Sequence, residues 1–326
     1  MSSHDRSEFI IEVNNNFICY VNKFINTNIN HIFNEVGYFL LHSRNPDDTY
    51  IQLVRRSDAT VFATLAFYLR GNGAYVSPLK GTFGGISVHQ KVEFKVLEGF
   101  IQQSVAYLLL KGAKSLSIKL APSSHGPEVF SVTCNVLLRL GFLVESKELN
   151  YDLRVNERSY LERIDYGNVK RIKKCLREGF HAFELETSRF EEAYEVIALN
   201  RLRRGYPISM TYDQIQEMVL TFPGRIVCFG IASDATKKKL VASSVCILIN
   251  SKILYVFYWG DIAEMETLSP VAMLASHIYE YMQKNDYEML DVGTSTINGE
   301  PVYGLVNFKR SLGFSESLKL TLEYKG

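Results

Sequence analysis

The chain has 326 residues, 47 % of them hydrophobic and 22 % charged, and a formal net charge of +1. That length suggests two domains of about 100–200 residues each. The near-zero charge excludes a global field for nucleic acid or anionic lipid, so any such contact needs a local patch.

Five cysteines, Cys19, Cys134, Cys175, Cys228 and Cys246, lack metal-ligand spacing. They point to a reducing compartment and mostly buried thiols. No HxH, HExxH or CxxC is present, so no metal is expected. The first thirteen residues carry no signal-peptide pattern, and no apolar run reaches the ~20 residues of a membrane span. The expectation is a soluble, cytoplasmic protein with no DNA partner and no integral membrane contact.

In chain order, Phe17, Tyr20, Val21, Phe24 and Ile25 fall on helical spacing, and Asn26 and Asn28 mark the end of that helix. Residues 49–56 and 60–69 read as strands joined at Ser57-Asp58. Gly71-Asn72-Gly73 is a hairpin turn before a strand at 74–77. Ser77-Pro78 and Phe83-Gly84-Gly85 mark an unusual backbone, read as a turn or bulge or as the close approach of another group. A long helix spans 92–110 and is stopped by Gly112. A strand at 116–120, a polar turn, a helix and Leu140-Gly141-Phe142 follow, and residues 143–155 form a strand that ends the first half.

The second half opens with short helices near 157–164 and 168–178. The latter carries Lys170, Arg171, Lys173, Lys174 and Arg177, which suit either a solvated face or a phosphate-facing patch. A helix over 187–204 ends in Arg201, Arg203 and Arg204. Another spans 212–221. Strands follow at 226–232, 240–249 and 253–259. Ser269-Pro270 opens a helix to Lys284. A strand from Met289 to Val292, a turn, a helix over 302–310 and Leu312-Gly313-Phe314 close the series. Gly313 lies 172 residues after Gly141, about half the chain. One strand–helix unit is used twice.

Antiparallel strands, a helix between two near-parallel strands, then a short helix and a last strand resemble the GNAT acyltransferase unit. Two in tandem resemble the Fem-type peptidyltransferases and FemAB-like acetyltransferase-domain proteins. The residues that carry this are Ser77-Pro78, Phe83-Gly84-Gly85, the basic helix with Arg171 and Lys174, Asp291-Val292-Gly293 and Gly304 to Phe314. The resemblance spans residues 45–325. It implies an α+β fold of two mixed sheets with packed helices: residues 1–155 as an N-terminal unit and 156–326 as a C-terminal unit opened by a helical segment.

It also implies transfer of an acyl or aminoacyl group, from acyl-CoA or aminoacyl-tRNA, to an amine on a small-molecule or cell-envelope or sugar precursor. Lys309 matches the basic residue that steadies charge on the carbonyl oxygen; it also reads as a surface helix lysine. Arg201, Arg204 and Tyr206 match an acceptor-binding stretch, or a charged helix end. Tyr258, Trp259 and Asp261 close a central strand; they suit an acyl seat and a proton acceptor, or core packing and a turn. Asp291 holds an amine or caps a turn. Asn307 lies beside Lys309 in the matching motif. The turn 260–266, with Asp261, Glu264 and Glu266 and one glycine, departs from the usual diphosphate loop. The competing reading is a non-catalytic ligand-binding or scaffold module with the same fold and no donor site.

Overall fold

Runs of β-branched and aromatic residues broken by glycine and asparagine turns become strands, and the two long amphipathic segments become the helices packed on them. The computed structural model describes residues 9–25, 31–88, 91–236, 239–265 and 267–325. The first half holds β1 (Phe9–Glu12), β2 (Phe17–Val21), α1 (Val36–His42), β3 (Thr49–Arg55), β4 (Val61–Gly71), β5 (Ala74–Ser77), β6 (Ile86–Val88), α2 (Phe94–Leu110), β7 (Ser115–Lys119) and α3 (Pro127–Arg139). Then come β8 (Leu143–Arg154), α4 (Tyr166–Arg177), β9 (His181–Glu184), α5 (Phe190–Arg203), α6 (Tyr212–Thr221), β10 (Ile226–Ala232), β11 (Leu240–Leu248) and β12 (Ile253–Asp261). The chain ends with α7 (Pro270–Lys284), β13 (Met289–Thr294), β14 (Thr296–Ile297), β15 (Glu300–Pro301), α8 (Tyr303–Ser311) and β16 (Ser315–Lys325).

Two compact units result: Met1–Glu148 with Ser317–Gly326, and Leu149–Glu316. In the first, β1 to β5 pair in antiparallel succession, β6 lies on β4, β5 runs parallel to β7, and β16 closes antiparallel on β7. Phe67, Phe100, Ile101, Leu116 and Leu322 are fully buried in its core. In the second, β9 to β12 are antiparallel, β12 runs parallel to β13, and β8 closes antiparallel on β13. Its core joins Leu254 and Leu290 of the sheet to Leu274 and Ile278 of α7. The α+β class and the twofold use of one mixed-sheet unit stand.

Two expectations are corrected. The segment near 15–25 is a strand, β2, paired with β3 from Phe17↔Arg55 to Val21↔Ile51. A five-residue apolar run fits both periods, and the ladder to β3 decides it. Asn26 and Asn28 lie outside the described residues. The strand after Phe142 does not close the first sheet: Asn150 to Arg154 of β8 pair with β13, and the first unit is closed by the C-terminal strand, with Thr321 opposite Lys119. β8 and β16 follow the same Leu-Gly-Phe stop, so the repeat alone cannot tell which strand closes which sheet. Residues 317–326, placed with the C-terminal unit on sequence, therefore lie in the first.

Candidate active site

The second unit is shaped by a break between two parallel strands. β12 pairs with β11 along its whole length, to Asp261 opposite Ala242. The register slips once: Val256 faces Cys246 and Tyr258 faces Val245, leaving Phe257 as an extra residue. Such a bulge bends its strand and sharpens the local twist. The ladder to β13 covers only Ile253–Tyr255 against Met289–Asp291. Beyond Tyr255 the two parallel strands part while β12 continues.

The corresponding gap in the first unit is sealed. β5 leaves β7 after Ser77, but Gly84 returns to bridge Leu120, its N–H donating to the Lys119 carbonyl at 2.9 Å. A Cβ on Gly84 would stand 2.9 Å from Pro78 Cδ, so only glycine allows this return. Phe83, just before it, is fully buried. In the second unit no such bridge joins β12 and β13 among the described residues.

On one side of β12 lies α5. Ser243 Oγ donates to the Ala193 carbonyl at 2.7 Å, and a Cβ on Gly260 would stand 2.7 Å from Asn200 Cβ, so glycine is what lets α5 come this close. Asn200 Nδ2 donates to the Asp261 carbonyl and to Oδ1, at 2.9 and 2.8 Å. Arg203 completes the clasp, 3.1 Å from the same Oδ1. Asp261 is buried at the strand end. The buried Tyr258 hydroxyl accepts from the Ser209 and Met210 amides at 3.0 Å. The Arg201 guanidinium lies 5.0 Å over the Tyr258 ring and donates to the Pro207 carbonyl. Arg204 is exposed and Tyr206 half-buried on the loop that follows.

Sequence reasoning selected Arg201 and Arg204, whereas Arg203 holds Asp261. Asn200, Arg203, Ser209 and Gly260 were missed as a group. The available signal was Asn200, a polar residue on the face that α5 otherwise fills with Ala193, Val196 and Ile197.

The other side of β12 faces α8. Trp259 meets Phe308 and Phe314 edge-on, with ring centroids 6.3 and 6.4 Å apart. Lys309 is buried, 2 % exposed, and is no surface lysine. Its Nζ donates to the Gly293 and Thr294 carbonyls, both at 2.8 Å, and lies 5.4 Å over the Tyr151 ring. Burial pushes its ammonium down to about 7, while the charge of Asp291 acts in the opposite sense. Asp291 is fully buried; Oδ1 accepts from the Gly293 amide at 2.7 Å and Oδ2 from Asn150 Nδ2 at 3.1 Å. It thus caps the turn that ends β13. Asn307 is exposed on α8, away from the face that buries Lys309.

The turn between β12 and α7 leads into a helix N-terminus, the usual seat of a coenzyme diphosphate. The amides of Met265, Leu268 and Ser269 all donate to carbonyls of the turn itself. Residue 270 is proline, which has no N–H, and Glu264 adds negative charge. Glu266 lies outside the described residues. These groups do not fit a diphosphate held in the usual manner at a helix N-terminus. Among the described residues no group of three or more His, Cys, Asp or Glu side chains could hold a metal ion, and no helix is long and apolar enough to cross a membrane.

No family model and no curated protein sequence matches the chain. Solved structures do. FemX is similar over 93 % of this chain and 97 % of its own, at 12 % identity and a TM-score of 0.70. This is a FemAB-like tandem GNAT fold. L-PGS from Bacillus licheniformis is similar over 86 % of this chain and 85 % of its own, at 11 % identity and a TM-score of 0.57. A tandem GNAT protein from the clavulanic acid biosynthesis pathway is similar over 87 % and 85 %, at 12 % identity and 0.50. At these identities the likeness is one of fold.

Proposed function

We propose that the protein is an N-acyltransferase that moves an acyl or aminoacyl group to an amine acceptor, with its reaction centre in the second unit at the parted ends of β12 and β13. The observation that carries this is the bulge at Phe257 together with the loss of strand pairing after Tyr255. We assign the donor to this unpaired stretch, between Trp259 on β12 and the strand end that Lys309 braces. The amine nitrogen attacks the acyl carbonyl carbon, the new C–N bond forms, and the bond from that carbon to the donor's oxygen or sulfur breaks. The amine's proton leaves to a carboxylate, a role assigned to Asp261 or Asp291, or to water. Lys309, when protonated, steadies the oxyanion with the N–H that its two carbonyl partners leave over. Arg201, Arg204, Tyr206 and Asn307 are assigned to the acceptor, of the cell-envelope or sugar-precursor class.

An aminoacyl-tRNA donor is favoured over acetyl-coenzyme A, because in the turn before α7 the Met265, Leu268 and Ser269 amides are spent on the turn itself, Pro270 has no N–H, and Glu264 adds negative charge. The same turn, with both Asp291 oxygens engaged, is what favours the second reading, a binding module without turnover. The two are separated by incubating the protein with labelled aminoacyl-tRNA or acyl-CoA and a panel of amines. Transfer of label to an amine supports the enzyme. Saturable binding of donor without transfer supports the module.

A further inference from the structure

We propose that the outward face of α4 docks the protein on an anionic lipid surface. Lys170, Lys173, Lys174 and Arg177 stand at i, i+3, i+4 and i+7 and so share one side of this helix. Arg171 lies beside them, and all five are exposed. The opposite side buries Asn168, Ile172 and Cys175. No acidic residue occurs within Tyr166–Arg177; Glu178, just past its end, is 3.7 Å from Lys174. Lys173 and Arg177 have no ion-pair or hydrogen-bond partner among the described residues. The whole chain carries only +1, so this concentration of five cations is balanced by acids elsewhere and gives the surface a direction.

Two large apolar side chains flank the cations: Tyr166, 71 % exposed, and Leu176, 55 % exposed. A lipid interface accepts this combination, since long flexible cations meet headgroups while the flanking side chains enter the boundary layer. A single-stranded nucleic acid fits less well, since it calls for a groove with open aromatic faces. α4 is a single convex helix, and Lys170 Nζ sits 4.5 Å over the Tyr166 ring. This proposal is independent of the transfer reading.

The test is co-sedimentation of the full chain with vesicles of neutral phosphatidylcholine, alone or with about 40 % phosphatidylglycerol, in about 50 mM and about 500 mM salt. The expected result is binding only to the anionic vesicles, release at high salt, and at least a tenfold loss in Lys170→Gln/Lys173→Gln/Arg177→Gln, checked as folded by circular dichroism. Lys170→Glu/Lys173→Glu/Arg177→Glu should abolish it. Equal binding by parent and folded variants overturns the proposal, as does failure to bind anionic vesicles. Variant-sensitive binding of an RNA duplex without vesicle binding overturns it in favour of nucleic acid.

Discussion

Lys309 Nζ reaches the Gly293 carbonyl at 2.8 Å and so ties α8 to the end of β13 inside the second unit. A buried ammonium is costly unless its donors are met, and here two backbone oxygens meet it. Its pKa is lowered from 10.5 to about 7. The folded chain therefore binds fewer protons than the unfolded chain between those values, and stability should rise with pH across that window. NMR titration of the Lys309 side chain should give a midpoint near neutrality, and chemical denaturation at stepped pH should show the rise. Lys309→Met should remove the slope. A midpoint near 10.5 would contradict the burial argument.

Lys309→Met also leaves the Gly293 and Thr294 carbonyls without this donor. Each loss costs roughly 1–3 kcal/mol, offset in part by no longer burying a charge. The variant should unfold at a lower denaturant midpoint than the parent, and an unchanged midpoint would show that the site relaxes freely.

The paired Leu-Gly-Phe stops give an internal control. Gly141 and Gly313 both have positive φ, +89° and +81°. A Cβ on Gly141 would lie 3.8 Å from Tyr324, an ordinary contact, whereas one on Gly313 would lie 2.5 Å from the Arg163 carbonyl oxygen. Gly141→Ala should cost about 1 kcal/mol, from the left-handed backbone alone. Gly313→Ala should cost clearly more, by at least another ~1–3 kcal/mol of overpacking. Equal costs by urea denaturation would mean that the contact to Arg163 is not maintained.

The repeat was legible because Gly141 and Gly313 end equivalent helices and because residues 226–232, 240–248 and 253–259 are near-continuous apolar runs, as strands buried on both faces are. The partner of each closing strand was not, since β8 and β16 carry the same signals and only the register decides. The local pattern at Phe17 to Ile25 fits a helix as well as a strand, and pairing with β3 overrides it. Lys309 falls three residues after the buried Val306 and three before the buried Leu312, which is core spacing; its charge argued for the surface. Arg203 stands between the two arginines singled out, and nothing local distinguishes it until Asp261 is brought beside it.

Asp261 makes the clasp testable. Arg203→Ala removes one donor and leaves a buried carboxylate on Asn200. It should lower stability by about 1–3 kcal/mol. Arg204→Ala, at an exposed position, should stay within about 0.5 kcal/mol. Thermal unfolding of the two variants in parallel checks the order, and the reverse order would break the link between α5 and the end of β12.

On the proposed function, the acyl donor enters between β12 and β13 in the second unit. Trp259, the sole tryptophan of the chain, borders that gap and reports on it. The direct measurement is its fluorescence during titration with each donor that supports transfer. A donor that is turned over should shift Trp259 emission saturably, in the concentration range that saturates turnover, and coenzyme A alone should leave it unchanged. A donor that is turned over with Trp259 emission constant, and at the parental rate in Trp259→Phe, would place the reaction elsewhere and contradict the account.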